Sequence, residues 1–210
     1  MAERFTLDGT LIGGEIHQWG NGRRGGVFPA EWESVMESFR LTKKEMQLLA
    51  GKYPTPFVVI SLAQVEKNYD FLRRRMPRVN VYYAMKANPA PRIMETLARR
   101  GASFDTASAG EIETLARMGI PGTRMIYANP VKTSQGMAAA AQFGVRRFTF
   151  DDRSEIGKMA AAVPGAEVLV RVRVKNQKAL VDLNAKFGAE PEAALALLRE
   201  AKAAGLSPAG

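Results

Sequence analysis

Lys86 closes the hydrophobic, aromatic run NVYYAMKANP and is followed at once by Ala, Asn and Pro. Taken alone, a lysine in such a place ordinarily extends its ammonium into solvent. At the carboxyl end of a strand in a (β/α) barrel it would instead stand in the mouth where catalytic groups collect, and its amine could form a Schiff base with a carbonyl compound. Other reactive side chains are sparse. The absence of cysteine excludes disulfides, thiolate metal sites and a cysteine nucleophile within these 210 residues. The single histidine, His17, lies far upstream of the barrel-like region and reads as structural or exposed, and no metal site is expected. Gly20, Gly22 and Gly25 satisfy G-x-G-x-x-G in WGNGRRGG, but no strand precedes them, so the stretch reads as a loop and not as a dinucleotide fingerprint.

The elements that must position Lys86 follow a rhythm from about Pro54 onward, in which short β-branched or aromatic runs alternate with Ala- and Leu-rich stretches. TPFVVIS reads as a strand, and LAQVEKNYDFLRRRM follows with Leu62, Val65, Tyr69 and Leu72 at helical spacing. Strand VYYAMKA precedes helix APRIMETLARRG, ASFDTAS precedes AGEIETLARMG, and RMIYAN precedes KTSQGMAAAAQFG. RRFTFD then leads into DRSEIGKMAAAV, and EVLVRVRV leads through a polar loop into PEAALALLREAKAAG. The expected fold is therefore α/β, an incomplete (β/α)8 TIM barrel of about six β/α units. An eight-stranded barrel typically takes about 250 residues. The chain reads as truncated, with unpaired parallel edges.

Composition narrows the partners. With 46% hydrophobic and 24% charged residues the chain is an ordinary globular protein. No apolar stretch approaches the roughly 20 residues of a membrane span, and the amino terminus MAERFTLDGT lacks the apolar core of a signal peptide. No membrane partner is expected, and the lack of cysteine fits a reducing, cytoplasmic location. The formal charge of +9 could attract polyanions. Its densest cluster, Arg73, Arg74, Arg75 and Arg78, instead ends an amphipathic segment, where the helix dipole favours cations, and no nucleic-acid motif accompanies it.

Several motifs occur in a telling order: YAMKAN, FDTASAGEIE, IYANPVK, FTFDD and LNAKFGA. With them, residues from about Phe39 to the end resemble the N-terminal barrel of the pyridoxal-phosphate-dependent decarboxylases of basic amino acids, the family that acts on ornithine, lysine, arginine and diaminopimelate. The resemblance implies pyridoxal phosphate as cofactor, held by Lys86 as a Schiff base that a substrate amine displaces. Such chemistry needs an amine that can be deprotonated, which burial assists. It also implies that Asp105, Glu111 and Arg171 ring the cofactor mouth, with Asp105 placed to hold Lys86 or Arg171 by a charge-assisted hydrogen bond. At a helix start Glu111 would equally favour the macrodipole. Ala84, two residues before Lys86, points the same way across the strand and leaves room for the ring. Lys186 resembles a dimer-interface position, which implies a homodimer in the full-length form. The stretch KANPAPRIMETL disfavours the racemases that share this barrel, and IYANPVK leans toward ornithine, lysine or arginine, with ornithine the first choice of amino acid substrate.

The departures from the family pattern matter as much. The stacking histidine, the glycine-rich phosphate turn, the glutamate facing the pyridine nitrogen and the C-terminal β-domain have no counterpart in the 210 residues. The chain is thus expected to be a poorly active fragment; the alternative is a non-catalytic relative that acts only by binding. Residues 1–38 read as an irregular N-terminal extension and residues 39–210 as the partial barrel, with Met36 a candidate translation start.

Overall fold

The computed structural model describes residues 39–174 and 187–210, which fall into two compact units. One comprises residues 39–80 and 88–101, the other residues 81–87, 102–174 and 187–210. His17, Gly20, Gly22, Gly25, Met36 and Lys186 lie outside the described residues.

The first unit is helical. Helix α1 (Lys43–Lys52) opens with a reciprocal cap in which Thr42 Oγ1 accepts from the Glu45 amide and the Glu45 carboxylate accepts from the Thr42 amide. Helix α2 (Leu62–Arg75) is capped by Ser61, whose hydroxyl accepts from the Gln64 amide at 3.1 Å. Its exposed last turn carries Arg73, Arg74 and Arg75, where cations oppose the unpaired carbonyls. Helix α3 (Pro91–Arg99) begins with proline, which has no amide hydrogen to leave unpaired there, and buries Ile93, Met94 and Leu97. Arg100 joins the end of α3 to α2 through Glu66 at 3.1 Å and Asp70 at 3.3 Å.

The second unit is a six-stranded parallel sheet whose spatial order equals chain order. Its strands are β1 (Tyr82–Ala84), β2 (Ser103–Thr106), β3 (Met125–Tyr127), β4 (Arg147–Phe150), β5 (Glu167–Val170) and β6 (Ser207–Pro208). Between them run α4 (Ala109–Arg117), α5 (Ser134–Gln142), α6 (Ser154–Ala162) and α7 (Pro191–Ala203). Side chains alternate across a strand, and here the alternation separates two chemistries. Phe104, Met125, Tyr127, Phe148, Phe150 and Val168 are buried, as are Ile112, Leu115, Met137 and Met159 of the helices. The opposite face carries the half-buried row Asp105, Ile126, Arg147 and Glu167, aligned by the register of neighbouring strands.

That second face is concave. In a flat sheet β1 and β4 would lie about 14 Å apart, three spacings of about 4.8 Å. Nevertheless the Arg147 guanidinium donates to the Tyr82 hydroxyl and its Nε donates to Glu167 Oε2 at 2.7 Å. A sheet curled toward this face, as in a partial barrel, shortens the span that this contact must cross.

Two strand expectations are corrected. TPFVVIS does not join the sheet, because β propensity is realised only where a neighbour completes the ladder. The sixth strand is instead β6, which contains a proline, a residue ordinarily confined to sheet edges. The ladder explains the exception: Ser207 and Ala209 donate to Ala166 and Val168, each at 2.8 Å, so Pro208, between them, occupies the position whose missing N–H would have pointed away from β5.

Candidate active site

The alternation that turns aromatic residues toward the helices also decides what faces the concave side near the strands' carboxyl ends. Asp105 and Ala107, then Ala128, Thr149, Leu169 and Arg171, continue that face from β2 to β5 and line a cleft of about 440 Å³. Lys86 and Phe187 complete its rim. Carboxyl-end mouths of β/α sheets are where catalytic groups converge, since each loop there starts from a rigid strand.

Lys86 is not on the strand itself. β1 ends at Ala84, and Met85–Ala87 form one 3-10 turn in which Met85 is 1% exposed while Lys86 is exposed and lines the cleft. The buried methionine pins the turn and leaves the lysine free to reach forward. The burial expected around Lys86 falls instead on Asp105, whose carboxyl is held above the ordinary carboxylate range chiefly by desolvation, with the Lys86 charge acting against that rise and Glu111 adding to it. Asp105 makes no hydrogen bond or ion pair with Lys86 or Arg171 among the described residues, so the expected charge-assisted bond is replaced by attraction across the cleft.

Arg171 is exposed at the rim, its backbone held by Phe150 at 2.7 Å and by the Ala189 amide at 2.8 Å. Its guanidinium lies 5.2 Å from the centre of the Phe187 ring, a cation–π contact that turns it along the cleft. The next residue, Gly188, has φ +109° and donates to Asp151 Oδ2 at 2.7 Å. A Cβ there would meet the Arg173 nitrogen at 2.8 Å, so only glycine permits this turn.

Glu111 and Ala84 do not line the cleft. Glu111 Oε2 accepts from the Ala107 amide at 2.6 Å, while Ser108 Oγ accepts from the Glu111 amide at 3.3 Å, so the carboxylate braces the start of α4 and the backbone of a cleft residue. Ala84 pairs in register with Asp105 on the neighbouring strand. Sequence reasoning gave no role to Asn129 or Thr149, which line the cleft, or to Lys132, which is buried behind it. IYANPVK contains two of these three, but only the fold separates the half-buried asparagine amide at the cleft from the fully buried ammonium.

Fold and site together define a β/α-barrel type of protein with an amine, a carboxylate and a guanidinium at its carboxyl-end mouth. Residues 62–210 match the family model described as "Pyridoxal-dependent decarboxylase, pyridoxal binding domain". The chain is 61% identical over 175 residues to the lysine/ornithine decarboxylase of Selenomonas ruminantium, covering 83% of this chain and 44% of that one. It superimposes on a variant of SrLDC solved in complex with PLP with a TM-score of 0.79 at 61% identity, covering 82% of this chain and 45% of the other. A more distant match is the lysine/ornithine decarboxylase of Vibrio vulnificus complexed with putrescine, with a TM-score of 0.71 and 29% identity over 81% of this chain and 46% of that one. The chain belongs to the pyridoxal-dependent decarboxylase family, matches its pyridoxal-binding domain, and spans less than half the length of these relatives.

Proposed function

We propose that this chain holds pyridoxal phosphate in the carboxyl-end cleft through Lys86, and that it is the cofactor-binding part of a decarboxylase acting on a basic amino acid of ornithine or lysine length. The observation that carries the reading is the Lys86 amine facing a half-buried Asp105 across the mouth of a parallel sheet. The cleft fits such a group in size, since small-molecule sites run from roughly 300 to 1,000 Å³. Ala107 and Ala128 leave its wall flat enough for an aromatic ring, and Arg171 supplies a cation for an anionic group. When bound, the cofactor supplies an electron sink for the pair released as carbon dioxide departs.

The chain's own residues do the rest. Exposure leaves Lys86 Nζ open to an incoming aldehyde. Asp105, held above the usual carboxylate range, is placed to receive the proton that Nζ must lose before it acts as a nucleophile. Phe187 keeps the Arg171 guanidinium along the rim, where it can orient an anion. Glu111 acts as a brace for Ala107 and α4. Ornithine is the first substrate to test, with lysine beside it because the 61% identical relative is named for both. We further propose a homodimer for the full-length form, measurable by sedimentation.

The test mixes the chain with pyridoxal phosphate, reduces the adduct with borohydride and maps the label by peptide mass. Label on Lys86, lost in Lys86→Ala, is the expected result. Label confined to other lysines, or none, overturns the proposal.

A further inference from the structure

The exit of β3 buries a cation that the cofactor reading leaves unused. Lys132 is 2% exposed, and its Nζ donates to Pro130 O at 2.9 Å and Thr149 O at 2.6 Å and lies 3.4 Å from Glu155 Oε2. Glu155 is equally buried; the same oxygen accepts from the Lys132 amide at 3.1 Å, and its other oxygen pairs with Lys158 Nζ, which also donates to Lys132 O at 2.9 Å. An apolar side chain could fill this space with no ion to desolvate, so the pair is a poor device for stability alone. What distinguishes it is the identity of the two carbonyls, because Pro130 and Thr149 both line the cleft, one in the loop after β3 and the other on β4.

We propose that Lys132 is a positioning residue for the cofactor cleft, its ammonium tying the β3 exit at Pro130 to β4 at Thr149 and so fixing the wall between them. The proposal rests on the cleft being the cofactor site. Three acceptors surround Nζ, matching the three N–H groups of an ammonium; a neutral amine has two and must turn a lone pair toward an acceptor. The tie is therefore complete only while Lys132 is charged. Burial draws its pKa down to about 8, opposed by Glu155 and Asp151 and assisted by Lys158. The groups facing it are Glu155 and Lys158 of α6, Asp151 beyond β4 and the Tyr127 ring of β3, 6.0 Å away. As pH rises through about 8 the wall loosens.

The experiment uses the full chain and two readouts between pH 6.5 and 9.5: the dissociation constant for pyridoxal phosphate, and amide hydrogen exchange over residues 129–133 without cofactor. In the wild type, exchange corrected for its intrinsic pH dependence should accelerate above about pH 8. Glu155→Gln removes a group that favours the cation and should move that break to lower pH; Lys132→Met should abolish it and weaken cofactor binding roughly tenfold at pH 7, the scale of one lost charged hydrogen bond. A wild-type break absent, or unmoved by Glu155→Gln, overturns the proposal, and so does unchanged cofactor affinity in a folded Lys132→Met chain. If the wild type shows the break but takes no label at Lys86, the cofactor reading fails while the tie stands.

Discussion

Gly136 lies in the first turn of α5, directly after the loop that forms one wall of the cleft. A Cβ built on it would sit 2.2 Å from the Tyr127 hydroxyl and 3.0 Å from two of its ring carbons. Tyr127 cannot swing away cheaply, because it is 2% exposed and its ring lies 6.3 Å from that of Phe148. Helix propensity alone would make Gly136→Ala stabilising by up to about 1 kcal/mol. Overpacking at 2.2 Å is the larger effect, costing about 1 to 3 kcal/mol, so the net change should be destabilising. Tyr127→Phe removes the closest atom but leaves the two carbons at 3.0 Å, so rescue should be partial. The four chains of the cycle, unfolded in urea, should show a favourable coupling of at least about 1 kcal/mol between the two substitutions. Additivity within about 0.5 kcal/mol, or a more stable Gly136→Ala, would refute the overpacking argument.

Two further outcomes follow from the same geometry. Asp105 has a raised pKa in the folded chain, so its contribution to stability is full below the ordinary aspartate range and is lost as pH rises through the folded value. Asp105→Asn should therefore raise the urea midpoint at pH 7, with the gain vanishing at low pH, and should slow labelling of Lys86 by pyridoxal phosphate; equal midpoints at pH 7 would contradict the desolvation argument. Glu111→Ala should cost about 1 kcal/mol through the lost hydrogen bond to the Ala107 amide yet leave borohydride labelling of Lys86 near wild type, and a loss of label in a folded chain would return Glu111 to the cofactor mouth.

Much of the fold was legible because each β/α unit repeats the same contrast. Runs such as FDT, MIY and FTF alternate around buried aromatics, and the helices after them carry caps such as Ser108 and Thr133. What could not be read locally was pairing. Phe57–Ile60 has stronger β propensity than Ser207–Pro208, but the second segment finds β5 and the first joins no strand of the sheet. The site divides in the same way. Lys86, Asp105 and Arg171, singled out through the order of motifs, line the cleft, whereas the Glu111 carboxylate is taken up by the Ala107 amide, and Lys132 resembles any surface lysine until the topology encloses it.

The polar residues of the concave face are also unevenly partnered along it. A polar group on a half-buried surface needs a partner, and the lower row has its own: Arg147 binds both Glu167 and Tyr82. Thr149 is answered by the Ala128 carbonyl at 2.7 Å. Among the described residues of this face, Asp105 is the carboxylate left with no hydrogen bond, and burial already strains its charge. Lys86 stands opposite, attracted but unbonded. With Arg147, Glu167, Tyr82 and Thr149 partnered within the sheet, the Asp105 carboxylate and the Lys86 amine are left apart at the carboxyl-end mouth. There an aldehyde on the amine and a cation near the carboxylate would supply what the protein alone does not.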